Sequence, residues 1–133
     1  FATYGDGLGN INLANLLDFH LHQGRLATVT AVRPPARFGL LESSNGQVTS
    51  FTEKNQAQAG WINGGFFVCE PKVLDYIEDD STIFEKGPLE TLAKEDELYT
   101  YKHKGFWQCM DTLRDKTYLE DLWTRNKAPW KTW

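Results

Sequence analysis

Cysteine is nearly absent: Cys69 and Cys109 are the two in the chain, each in apolar surroundings and neither at a spacing that offers a second metal ligand. They read as buried free thiols of a reducing compartment, so a cytoplasmic protein is expected rather than a disulfide scaffold. An excess of basic charge is also lacking, since 14 Lys and Arg face 18 Asp and Glu for a net charge of -4. Nucleic acid and membrane surfaces are therefore not expected as main partners, whereas local Lys and Arg can still serve phosphorylated small molecules. No apolar run approaches the ~18 residues of a membrane span, and there is no signal-peptide pattern, internal repeat or low-complexity stretch. The chain opens without a start methionine, on what reads as the last residues of a buried strand, so a domain that begins upstream of Phe1 is expected. With 133 residues there is room for one core but not for two ordinary domains.

Aromatic residues, by contrast, are plentiful at 14%, five of them Trp, which suggests stacking surfaces or interfaces beyond a minimal core. The first seven residues, Phe1-Ala2-Thr3-Tyr4-Gly5-Asp6-Gly7, form a short strand-like run that stops at a carboxylate between two glycines. That pattern delivers one acid to a tight turn at a strand end, the side of an open α/β sheet where ligands bind. Asn10-Ile11-Asn12 then caps a helix with Leu13, Leu16, Leu17, His20 and Leu21 on one face and Gly24 as its stop. His20 and His22 read as helix residues rather than metal ligands, because nothing pairs with them at ligand spacing. The β-branched run from Leu26 to Val32 predicts a strand buried on both faces. Strand, helix, strand implies a right-handed crossover and a parallel pair.

Arg33-Pro34-Pro35 ends that strand, and Asn45-Gly46 between two alternating runs predicts a hairpin. Glu53-Lys54 follows its second strand, which sets an acid beside a base. In the apolar window 61–69, Asn63-Gly64-Gly65 admits two readings: a tight turn, or a central strand whose glycines mark close approach by a ligand or another backbone. The second is favoured, since it leaves the Asn63 amide free to donate and accept. Pro71 opens a helix with Val73, Leu74 and Ile77 inward, and Pro88 another with Leu89, Leu92 and Ala93 inward. Residues 98–103 alternate like an edge strand, with His103 exposed between two lysines. Residues 105–110 return to apolar character and end at Asp111, a second carboxylate at a strand end. Asp111-Thr112 caps a helix through Leu113, Tyr118, Leu119, Leu122 and Trp123, and the aromatic tail 128–133 should dock.

Asp6, Glu53-Lys54, Asn63-Gly64-Gly65 and Asp111 are thus the residues whose type and placement suit chemistry. Two carboxylates at strand ends can share Mg²⁺, whose remaining positions are filled by phosphate oxygens and water. A lysine can neutralise a phosphate as a point charge, and a glutamate can accept bonds from sugar hydroxyls. Together these suit phosphoryl transfer by positioning and charge stabilisation.

Read in order, Tyr4-Gly5-Asp6-Gly7, the segment 27–35, Arg37-Phe38-Gly39, Phe51-Thr52-Glu53-Lys54, residues 62–68, 106–116 and the closing 128–133 resemble the C-terminal half of glucose-1-phosphate cytidylyltransferase, also called CDP-glucose pyrophosphorylase. The resemblance spans essentially the whole chain. Within the wider sugar-1-phosphate nucleotidylyltransferases it shrinks to the Gly-Asp turn, Phe-Gly, Glu-Lys and the late Asp. It implies an α/β fold, the C-terminal part of a Rossmann-like mixed sheet with helices packed on it, and a sugar-phosphate-binding portion over residues 1–133. By that resemblance Asp6 and Asp111 bind Mg²⁺, Glu53 binds the sugar and Lys54 contacts the sugar phosphate. Gly39, Asn63 and Gly64 line the sugar pocket, and Trp107 falls near a pocket aromatic. CTP and glucose 1-phosphate are the implied substrates, CDP-glucose for bacterial surface polysaccharide the product, and a homo-oligomer the implied assembly. Asn55 departs from the proline that many relatives carry after Glu-Lys. The family's glycine-rich triphosphate loop, Gly-Gly-x-Gly-Thr-Arg, does not occur, so the chain alone is expected to be inactive. A UTP- or dTTP-dependent relative would keep the same acceptor residues, and a non-catalytic sugar-binding or oligomerising module would keep the aromatics without needing the acids.

Overall fold

A computed structural model describes residues 1–35, 39–53 and 60–133, and of residues 39–41, 52 and 53 the backbone alone. At its centre lies β3 (Ala27–Val32), the β-branched run, with only Val29 less than fully buried. Strand β6 (Ile62–Cys69) pairs with it antiparallel and β7 (Leu98–Lys102) pairs with it parallel. The short strand β1 (Ala2–Thr3) completes a four-stranded sheet of order β1-β6-β3-β7 on the far side of β6. As expected, then, the fold is a mixed α/β arrangement, with β7 at an edge.

The predicted pairing of the first two strands of that sheet needs correction. Strands β1 and β3 run in the same direction, since both are antiparallel to β6, but β6 lies between them and bonds to each. The physical reason is that β6, at eight residues, is the longest strand of this sheet, and two ladders satisfy its backbone on both sides. The parallel partner of β3 is β7 instead.

Helix α1 (Leu13–Gln23) starts and stops where the caps direct: the Asn12 side chain accepts from the Asn15 amide, and Gly24 takes φ 61°. Its buried stripe is narrower than the spacing suggested, with Leu16 and His20 enclosed and Leu13 and Leu21 exposed. Phe19 sets its ring edge-on to Tyr101 of β7 at 5.6 Å and so ties the helix to the sheet. The hairpin of β4 (Gly39–Ser44) and β5 (Gln47–Glu53) turns at Asn45 and Gly46, whose φ of 49° and 82° fit a two-residue primed turn.

Pro71 opens a 3-10 helix, Pro71–Tyr76, rather than an α-helix. With about three residues per turn, Val73 and Tyr76 share its inner face, which leaves Leu74 and Ile77 outside. Helix α2 (Pro88–Lys94) buries Leu89 and Leu92, and Ala93 is exposed. Leu89 and Leu92 join Ala27, Phe67 and Val73 in the core. A second ladder, β2 (Gly7–Gly9) with β8 (Trp107–Cys109), is antiparallel and separate from the main sheet. Helix α3 (Leu113–Thr124) follows β8, with Asp115 and Leu119 buried and Leu113, Tyr118 and Trp123 exposed. The tail docks through Trp130 on Phe106 at 5.5 Å, while Trp133 is 82% exposed. His103 is half-buried rather than exposed and pairs with the Phe106 carbonyl at 3.1 Å. Among the described residues no helix is long and apolar enough to cross a membrane.

Candidate functional site

Asp6 sits in the turn between β1 and β2, as expected, although the strand leading to it stops earlier, at Thr3. The β2–β8 ladder sets Gly7 opposite Cys109, and the next rung is closed by the Met110 amide donating to the Asp6 carbonyl at 2.7 Å. Asp111 follows Met110 directly. Two exposed carboxylates from opposite ends of the chain are thereby carried on neighbouring backbone positions.

The Asp111 end of this pair is held by α3. Thr112 is the N-cap, its hydroxyl accepting from the Asp115 amide, and the Asp115 carboxylate accepts from the Thr112 amide at 3.1 Å. That reciprocal capping box fixes the backbone just after Asp111. Gln108 donates to the same buried Asp115 at 3.0 Å, so strand, carboxylate and helix are bonded as one unit.

The Asp6 end is braced by β6. An ideal Cβ on Gly7 would lie 3.5 Å from both the Gly64 carbonyl and Trp107 Nε1. That indole nitrogen donates to the Gly64 carbonyl at 2.9 Å, and the ring is 8% exposed. Trp107 therefore acts by holding Gly64 rather than by offering a face to solvent. Gly64 itself fits against β3, where an added Cβ would come within 2.7 Å of Val32 Cγ1. Beside it Gly65 takes φ 75°, and the β3–β6 register shifts there, so the glycine pair marks a bulge inside a continuous strand. The strand reading of Asn63-Gly64-Gly65 is the one the structure adopts.

Asn63 is exposed, with Oδ1 accepting from the Gly65 amide at 2.8 Å and Nδ2 donating to the Tyr4 hydroxyl at 3.1 Å. The Tyr4 hydroxyl in turn donates to the Glu85 carboxylate. Burial first, and the Glu85 carboxylate next, push the Tyr4 hydroxyl up to about 12. The same bond holds Glu85 below the usual carboxylate range. Neither Tyr4 nor Glu85 was legible as a site residue, because they lie 81 positions apart and no local pattern links them.

Asp6, Asn63, Gly64, Trp107 and Asp111 are thus gathered by the turn, β6 and β8. Gly39 and Glu53 face each other in register at the open end of the β4–β5 hairpin, and the Glu53 side chain and all of Lys54 lie outside the described residues. The cysteines form no disulfide and are half-buried, and burial pushes the Cys69 thiol up. Among the described residues no group of three or more His, Cys, Asp or Glu is arranged to hold a metal ion. Two carboxylates without further protein ligands suit Mg²⁺, which keeps waters and phosphate oxygens, and do not suit a four-ligand zinc site.

The fold around these residues is a mixed sheet with helices packed on it, an α/β architecture. Residues 3–122 match the Nucleotidyl transferase family model, and the chain belongs to that family. It is 54% identical over 131 residues to the glucose-1-phosphate cytidylyltransferase of Salmonella typhi, covering 98% of this chain and 51% of that protein. It is 33% identical over 127 residues to the mannose-1-phosphate guanylyltransferase catalytic subunit beta of Dictyostelium discoideum, covering 92% of this chain and 35% of that protein. The chain therefore spans about half the length of the first relative and a third of the second. The crystal structure of HddC from Yersinia pseudotuberculosis shares the fold, with a TM-score of 0.56 at 20% identity over 86% of this chain and 50% of that one.

Proposed function

We propose that the chain supplies the sugar-phosphate and metal half of a glucose-1-phosphate cytidylyltransferase. The reaction joins CTP and glucose 1-phosphate to give CDP-glucose and pyrophosphate. An oxygen of the sugar phosphate attacks the α-phosphorus of CTP in line; the new P–O bond forms as the bond to the β-phosphate oxygen breaks, and pyrophosphate leaves with that electron pair. No protein nucleophile is needed, so the chain's residues work by holding and orienting two anions. Asn63 and Glu53 bind sugar hydroxyls and Gly39 gives the ring close approach to backbone, while Gly64 sets the strand that carries Asn63 against β3. Lys54 neutralises the sugar phosphate and lowers the repulsion between the two substrates. Asp6 and Asp111 would hold Mg²⁺, which when bound supplies positive charge to the phosphate oxygens. The reading also carries a homo-oligomer in the cytoplasm.

The observation that supports this most is the Met110–Asp6 backbone bond, which pairs Asp6 with the residue before Asp111. Identity of 54% to a cytidylyltransferase favours cytosine over other bases. The test is a comparison of CTP, UTP, dTTP and GTP with glucose 1-phosphate, using the full-length polypeptide that contains this sequence. CDP-glucose should form fastest by at least tenfold in kcat/KM. Preference for another triphosphate would overturn the base, and turnover of none of them would overturn the reaction.

A further inference from the structure

We infer that Tyr4 and Glu85 are positioning residues for Asn63, acting through a hydrogen-bonded chain that sets the direction of the Asn63 amide before substrate arrives. The inference rests on the reading of Asn63 as a sugar-binding residue. The amide's orientation is dictated from both sides. The Gly65 N–H is a donor and requires the Asn63 oxygen, at 2.8 Å. The Asn63 NH₂ group is then turned to Tyr4, at 3.1 Å, and the Tyr4 hydroxyl must accept that bond. A hydroxyl that accepts has one proton to give, and Glu85, an acceptor only when ionised, takes it. Glu85 thus fixes the Tyr4 proton, which fixes the lone pair that Asn63 meets. One Asn63 N–H and one oxygen lone pair are left over, the complement of a sugar hydroxyl that both accepts and donates.

Each member of the chain has its own anchor. The Tyr4 amide donates to the Gly65 carbonyl at 2.9 Å. Its ring lies on Gly65, where an added Cβ would fall within 2.7 Å of Cδ2, and packs against Phe67 at 5.6 Å. Phe84, next to Glu85 in sequence, is edge-on to the same Phe67 at 5.5 Å. An exposed asparagine would otherwise lose rotamer freedom on binding, and fixing it beforehand lowers that cost.

The experiment is steady-state kinetics of the full-length polypeptide carrying Tyr4→Phe, which keeps the ring and removes the hydroxyl. The KM for glucose 1-phosphate should rise about 2- to 10-fold, the worth of one neutral hydrogen bond, while kcat and the KM for CTP stay at their parent values. Glu85→Ala should act in the same direction, and Glu85→Gln, whose carbonyl still accepts from Tyr4, should restore most of the loss. An unaltered glucose 1-phosphate KM in Tyr4→Phe, or a rise matched by the CTP KM, would overturn the inference and leave the proposed function intact. A parent enzyme with no turnover of glucose 1-phosphate would overturn both.

Discussion

The Met110 amide and the Asp6 carbonyl are 2.7 Å apart, and this one backbone bond joins the turn after the first strand to the residue before Asp111. Asp6 and Asp111, far apart in the chain, lie at the same end of one ladder because β2 and β8 are the two strands of an antiparallel pair. Whatever loosens that ladder or the caps beside it should loosen the site.

Thr112 is the first place to look. Its hydroxyl and the Asp115 carboxylate satisfy each other's backbone amides at the start of α3. Thr112→Ala should cost ~1 kcal/mol of stability, read as a lower urea midpoint with an unchanged slope. Thr112→Ser, which retains the hydroxyl, should stay near the parent.

The glycine pair in β6 predicts two different penalties. At Gly64 an alanine Cβ meets Val32 Cγ1 at 2.7 Å and the Thr30 carbonyl at 3.0 Å. Gly64→Ala should therefore lose roughly 1–3 kcal/mol by overpacking. At Gly65 the backbone is at φ 75° and the new methyl would strike the Tyr4 ring, so Gly65→Ala adds conformational strain of ~1–2 kcal/mol to the clash. Replacing Val32 by Ala should recover part of the loss in Gly64→Ala and none in Gly65→Ala; chemical denaturation of the double variants separates the two.

Tyr4 predicts a pH signature. Its hydroxyl proton is held more tightly in the folded chain, with the pKa raised to about 12. Its contribution to stability is therefore complete below the ordinary tyrosine value and is lost as pH climbs through the raised one. The stability difference between the parent and Tyr4→Phe should be constant up to about pH 10 and then shrink toward about pH 12. Glu85 gives the mirror image. Its carboxyl is held below the usual range by the Tyr4 bond, so its share is present above that range and lost as pH falls. In Tyr4→Phe, an NMR titration of Glu85 should move upward, toward the ordinary carboxylate range.

The 133-residue chain by itself should make no CDP-glucose, because its sequence contains no glycine-rich triphosphate loop of the Gly-Gly-x-Gly-Thr-Arg type. A radiolabelled CTP assay checks this, and clear turnover would show that the acceptor half carries its own triphosphate site.

Features set by local bonds were legible. Asn12, Gly24, Thr112 and the Asn45-Gly46 turn each act on backbone within a few residues, and each does what its type implies. The central burial of β3 and the edge position of β7 also followed from pattern. Features decided by distant partners were not. Nothing near Ala2 or Ala27 says that β6 will come between their strands, since that depends on where the later strand from Ile62 finds most backbone to pair with. Leu74 looked inward on an α-helical wheel and is 67% exposed because the segment winds with three residues per turn. Of the site, Asp6, Asp111 and Asn63 could be picked by residue type at strand ends. The burial of Trp107 against the Gly64 carbonyl and the Tyr4–Glu85 bond depend on contacts across the fold.

The most direct measurement of the central claim is CDP-glucose formation by the full-length polypeptide across a Mg²⁺ titration, in the parent and in Asp6→Asn and Asp111→Asn. Activity in the parent should require the ion, and each substitution should lower kcat by about 10²-fold or more and shift the half-saturating Mg²⁺ upward. Parent-like turnover and Mg²⁺ dependence in either variant would contradict the account.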